Sequence, residues 1–143
     1  MGCMSETITY RTLRREDYPA LTEQLCDKWY LKPDTDRDLA MKLAEADLEY
    51  CLARTTTAQM AVQGETVVGV VLGRIDAAET RKGVNRHHRA SMKILASLLF
   101  NKQGRAALQK LKKNEEANRS MLAEAKKEGH AYDAEVVLLL VSP

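Results

Sequence analysis

Polar and apolar positions change period several times along the chain. Residues Thr7–Leu13 alternate at period two and predict a half-buried strand. A helix is expected to open at Glu16 or Asp17, with Pro19 in its first turn. Leu21, Leu25 and Trp29 follow at i, i+4 and i+8 as its buried face, and Lys32-Pro33-Asp34 ends it. A second helix begins near Asp34–Asp38 and carries Leu39, Leu43, Ala46 and Tyr50 at helical spacing; Thr55-Thr56-Thr57 stops it. Ala58–Gln63 reads as a short strand and Thr66–Ile75 as a longer one. Gly64-Glu65 between them suits a type II′ hairpin turn. Gly69 and Gly73 predict a bulge or a close backbone approach. The most apolar run is the last, Ala134-Glu135-Val136-Val137-Leu138-Leu139-Leu140-Val141, before Ser142-Pro143. Its composition and length predict a strand buried on both faces, central or parallel in its sheet, because an edge strand would alternate.

Between the third and last strands lie residues 77–133. Met92, Leu95 and Leu99, with Ile94 and Leu98, predict one helix ended near Asn101–Gly104. Leu108, Leu111, Met121, Leu122 and Ala125 predict a second, closed by Gly129 as the residue after its C-cap. The two are expected to form a helical hairpin. The fold class is thus α/β of the mixed α+β kind, ordered β-α-α-β-β, helices, β. One domain spans residues 5–143, with 77–133 inserted in it.

Composition narrows the class. With 45% hydrophobic and 29% charged residues the chain is globular, and one Phe and one Trp leave the core to aliphatic side chains. The net charge of +2 is unevenly spread. Residues 1–80 hold nine Lys/Arg against fourteen Asp/Glu, whereas 81–130 hold thirteen against four. That asymmetry hints at an anionic partner for the basic segment. Cys3, Cys26 and Cys51 form no C-x-x-C pair and read as reduced thiols of a cytoplasmic protein. No run approaches the ~20 apolar residues of a membrane span, and no apolar signal region opens the chain. Met1-Gly2-Cys3 invites a lipidation reading, but Glu6 stands where the myristoylation pattern has Ser or Thr.

Several clusters read as plain structure. Asp34, Asp36, Asp38 and Glu45 match positions of a calcium loop, but Leu39 replaces the required Gly, so they read as an acidic helix start. His87-His88 points apart on a helix and reads as a solvated basic turn, with no metal expected. His130 reads as structural or exposed. Lys110, Lys112, Lys113, Arg105, Arg119, Lys126 and Lys127 make a basic helix without interleaved aromatics, so nucleic acid is not the expected partner. Cys26 and Cys51 read as small core residues.

The final run, Ala-Glu, an apolar stretch, then Val-Ser-Pro, resembles the fourth strand of the GNAT superfamily of acetyl-CoA-dependent N-acetyltransferases. The order of the earlier elements is similar to the opening of that domain, so the resemblance covers residues 7–76 and 134–143. The basic segment 77–133 departs from it, because the family commonly joins these strands by a short turn. The resemblance implies a GNAT-like N-terminal half, transfer of acetyl from acetyl-CoA to an amine acceptor, and a roughly defined site. Glu135 matches the Glu that serves as general base in the histone-acetyltransferase branch, where apolar neighbours can raise a carboxylate's pKa. Leu139, Leu140 and Val141 match the strand whose backbone pairs with the pantetheine arm and polarises the thioester, as an oxyanion hole would. The family's Gln/Arg-x-x-Gly-x-Gly/Ala pyrophosphate loop would begin past Pro143, so a C-terminal segment or a second copy is expected to complete the sheet. The other reading is a non-catalytic binding or assembly module that uses its exposed final strand or its basic helices.

Overall fold

The computed structural model of the protein describes residues 7–76, 84–130 and 132–141. Its sheet grows from the β2–β3 hairpin. Strand β2 (Thr57–Gln63) and strand β3 (Thr66–Ile75) meet across Gly64-Glu65, with Gln63 opposite Thr66. Gly64 has φ +64° and Glu65 is not in the positive region, as a type II′ turn requires. Strand β1 (Ile8–Thr12) pairs with β2, and strand β4 (Ala134–Val141) pairs with β3. The order is β1-β2-β3-β4, and every pairing is antiparallel. The register slips twice. Val68 is left without a counterpart beside Gly69, and Val137 without one opposite Leu72–Gly73. Both glycines expected to mark irregularities therefore adjoin bulges.

Strand β4 departs from expectation. It is not buried on both faces: Leu138 and Leu140 are buried, but Val136, Leu139 and Val141 are 67%, 60% and 60% exposed. Among the described residues it pairs only with β3 and stands at the sheet's edge. Both its faces are apolar in sequence, so composition could not tell which one the helices cover. The bulge turns Val137 toward the core beside Leu138 and leaves Val136 facing out.

The inner face of the sheet carries Met60, Val62, Val70, Leu72, Leu138 and Leu140. Two helices cover it. Helix α1 (Tyr18–Leu25) has Pro19 in its first turn and buries Leu21 and Leu25 completely. It then widens into a π turn over Cys26–Tyr30. The extra residue rotates the expected face, so Cys26 is buried and Tyr30 half-buried, while Trp29 is 46% exposed. Helix α2 (Arg37–Arg54) begins after Asp36, and its end is marked by Thr55, whose hydroxyl donates to the Cys51 carbonyl at 2.7 Å. Ala40, Ala44, Leu48 and Leu52 of α2 pack on the sheet, while Leu39 and Leu43 pack on the opposite side. Tyr50, expected in the core, is 41% exposed.

The second layer comes from the basic segment. Helix α3 (Val84–Ser97) lies on α2, where Ser91 donates to the Ala46 carbonyl at 3.0 Å. A single turn, Leu98–Phe100, leads to helix α4 (Lys102–Lys127). The Asn101 side chain caps α4 by accepting from the Gln103 N–H at 2.8 Å. Gly104, expected in the break between helices, sits inside the first turn of α4. A Cβ there would collide with the Leu98 carbonyl, so only glycine lets the two backbones approach. Gly129 follows α4 with φ +88°, as its sequence position predicts. The expected hairpin does not form along its length. Helix α4 docks through Ala107, Leu108 and Leu111 on Leu39, Leu43 and Leu98, and its later turns stand off, with Met121 and Leu122 exposed. No helix among the described residues is long and apolar enough to cross a membrane. The lipidation signal of residues 1–6 and the Ser142-Pro143 stop lie outside the described residues.

Candidate functional site

Strand β4 carries the residues singled out by the sequence, and the structure separates them. Glu135 is the second residue of the strand, opposite Arg74 of β3 in the register. Its Oε1 accepts from Arg74 Nε at 3.0 Å and from Arg54 Nη2 in the last turn of α2. Arg74 also donates to Asp76. Its hydrogen bond to Glu135, with smaller help from the Asp76 charge, holds the Arg74 guanidinium above its ordinary pKa. Glu135 was expected among apolar neighbours and instead sits in a cluster of guanidinium groups, with about a third of its side chain exposed.

Leu139, Leu140 and Val141 lie four to six residues further on, about 13–20 Å along an extended strand. Leu140 is buried, while Leu139 and Val141 project from the outer face. With Ile8, Tyr10, Ala61 and Val71 they line a shallow hollow of about 460 Å³. Lys28 donates to the Val141 carbonyl. In an antiparallel edge strand, alternate residues turn both N–H and C=O away from the neighbour. The outer edge of β4 therefore presents a row of backbone donors and acceptors.

A second cavity, about 530 Å³, opens between α2, α3 and α4. Asp47 lies in its wall, with Oδ2 accepting from the Tyr30 hydroxyl at 2.7 Å and Oδ1 from the Cys51 thiol at 3.6 Å. Burial, reinforced by the Asp47 charge, pushes the Tyr30 phenol and the Cys51 thiol far above their ordinary pKa values. Both remain neutral donors at physiological pH. Arg54 joins this cleft to Glu135, since its guanidinium also lies 5.6 Å above the Tyr50 ring. The α4 wall carries Asn114, Asn118 and the Glu115–Arg119 pair at 2.8 Å.

Sequence reasoning missed the group of Tyr30, Asp47 and Cys51. One signal was available: Asp47 lies between Ala46 and Leu48 on the apolar stripe of α2, four residues before Cys51. It also misplaced His87, which is not in a solvated turn. His87 is 8% exposed within α3, with Nδ1 2.5 Å from Glu49 Oε2 and its ring edge-on to Tyr18 at 5.7 Å. His88 is exposed.

The remaining candidates stay apart. His130 stacks on Tyr132 at 6.4 Å, and both are exposed. Lys110, Lys112 and Lys113 are exposed on α4. Cys26 and Cys51 are buried, as expected. Among the described residues no group of three or more His, Cys, Asp or Glu side chains is placed to hold a metal ion. Compared with known proteins, the chain matches no family model and no curated protein sequence.

Proposed function

We propose that the protein is an N-acetyltransferase that moves acetyl from acetyl-CoA to an amine acceptor. The observation that carries this reading is the edge of β4, which among the described residues pairs with no further strand; β1, two helices, β2 and β3 precede it as the resemblance implies, with α3 and α4 interposed as the departure from it. An unpaired strand edge fits the extended, amide-bearing pantetheine arm, whose groups require alternating donors and acceptors. Leu139 and Val141 would hold that arm through the backbone groups they turn away from β3, with the Lys28 ammonium at the same end of the strand and Leu140 packing beneath. No glycine-rich phosphate loop stands within the 143 residues, so no residue is assigned to the pyrophosphate. Acetyl-CoA supplies an activated thioester carbonyl.

Glu135 is the residue assigned to taking the acceptor's proton. Arg54 and Arg74 both donate to its Oε1, so the second carboxylate oxygen would be the one to meet an incoming ammonium. The test is a calorimetric titration of acetyl-CoA into the protein, with mass spectrometry of a mixed amine pool after incubation. Saturable binding with acetylated amine supports the reading. A folded sample that neither binds nor transfers, with the same result for a chain extended past Pro143, overturns it.

A second reading draws on a different observation. The outer sheet face exposes Tyr10, Val71, Val136, Leu139 and Val141 beside the free edge, the features of an assembly surface. Self-association that ends when Leu139 is changed to Lys, with no acetyl-CoA binding, would favour that reading.

A further inference from the structure

We infer that the cleft between α2 and the insertion's α4 is a binding site for an organic cation, a primary amine on an apolar body, with the Asp47 carboxylate as its counter-ion. The charges around the cleft single out Asp47. Arg119 is paired with Glu115 and Arg54 with Glu135. Among the described residues Asp47 has no ion-pair partner; its two contacts are the neutral Tyr30 hydroxyl and Cys51 thiol. Each carboxylate oxygen thus holds one donor and keeps a lone pair for another. An ammonium is the donor that such a site lacks, because a partly buried carboxylate gains most from a charged N–H.

The rest of the cleft suits the remainder of such a molecule. Leu43, Leu95, Leu111 and Leu122 supply apolar wall, and Tyr50, one face of whose ring is taken by Arg54, adds aromatic surface. The Asn114 and Asn118 side chains stand on the α4 wall and can accept further N–H groups. The volume lies within the ordinary range for small-molecule sites. Tyr30 and Cys51 act as positioning residues, fixing one lone pair of each Asp47 oxygen and so the direction left open to the ligand. Binding here requires no acetyl-CoA and stands whether or not transfer occurs.

The test is an amide chemical-shift titration of the protein with n-hexylamine, n-hexanol and hexanoate as probes. The expected result is saturable hexylamine binding that shifts residues of α2, α3 and α4 around the cleft, weaker binding of hexanol, and none of hexanoate. Asp47→Asn keeps the shape and is expected to lower hexylamine affinity about tenfold or more. Leu122→Lys, at an exposed position where folding is not at stake, places a resident ammonium at the cleft and is expected to weaken hexylamine as well. Equal binding of hexylamine and hexanol would overturn the inference. So would shifts that map elsewhere, absence of saturation, or hexylamine affinity unchanged in Leu122→Lys.

Discussion

Arg54, in the last turn of α2, donates to Glu135 near the start of β4 while its guanidinium covers the Tyr50 ring. One side chain thereby ties the sheet edge to the wall of the interhelical cleft. Both partners are partly exposed, so the ion pair contributes about 0–1 kcal/mol to stability. Its larger effect is on position. On the proposed acetyltransferase reading, Glu135→Gln is expected to lower acetyl transfer by about 10²–10⁴-fold with acetyl-CoA affinity unchanged. Arg54→Ala should lower transfer less and leave the melting temperature nearly unaltered. Steady-state rates beside calorimetric affinities check both; full activity in Glu135→Gln would remove Glu135 from the chemistry.

Gly104 makes a sharper stability prediction. A methyl group there meets the Leu98 backbone, which cannot swing aside as a side chain can. Gly104→Ala is expected to cost about 1–3 kcal/mol, read as a lower urea midpoint with unchanged slope. Gly129→Ala has open space but a φ of +88°, so backbone strain alone should cost about 1 kcal/mol. A neutral Gly104→Ala would mean that α4 does not start against Leu98.

The two faces of β4 should respond differently. Leu140→Ala empties a fully packed position and is expected to cost about 2–5 kcal/mol. Leu139→Lys alters only the outer face and should stay within about 0.5 kcal/mol of the parent. Chemical denaturation of the two variants measures the contrast directly. Equal losses would show that the outer face is covered in solution.

Asp17 predicts a pH dependence. Arg11 grips its carboxylate with two hydrogen bonds of 2.8 Å, and the Arg14 N–H adds a third at 2.7 Å. The Arg11 hydrogen bond, ahead of the opposing effect of burial, holds Asp17 below its ordinary value of 3.8. In the unfolded chain Asp17 takes up its proton near that ordinary value, whereas in the folded chain it does so at lower pH. The stabilisation is therefore complete above about pH 5 and is lost as pH falls below 4 through the depressed folded value. The melting-temperature gap between the parent and Asp17→Asn should be constant from pH 5 to 8 and close in acid. A gap that persists unchanged in acid would show that the carboxylate's charge is not what stabilises.

Local signals were legible wherever the chain's own geometry decided the outcome. Gly64-Glu65 specified its turn, Thr55–Thr57 ended α2, and Gly129 closed α4 as read. The failures came where a neighbour decided. Trp29 turns outward because a π turn inserts one residue into the helical repeat, which no spacing rule in the sequence reports. Strand β4 reads as doubly buried because an apolar residue carries no record of which face gains a cover. His87 looked like part of a basic surface until α2 supplied Glu49. Glu135 was singled out from the sequence among apolar neighbours, but its two guanidinium partners come from residues 54 and 74, far away in sequence. Asp47 was legible only as a charge out of place on an apolar stripe.

The pairing of Leu72 with Leu138 closes a long excursion of the chain, sealed at its base by the Asp76 N–H donating to the Asp133 carbonyl at 2.8 Å. The β2–β3 hairpin needs only a two-residue loop, so it can form early, while β4 must wait for the whole intervening segment to be gathered in. The helices of that segment shorten the search, since α3 is held on α2 through Ser91 and His87. Strands β1 and β4 each have a single neighbour in the sheet, so the two edge strands are expected to open before β2 and β3 do. Hydrogen exchange should therefore report lower protection for the amides of β4 than for those shared by β2 and β3. Glu135 would move with it, parting from Arg54 each time the edge strand detaches.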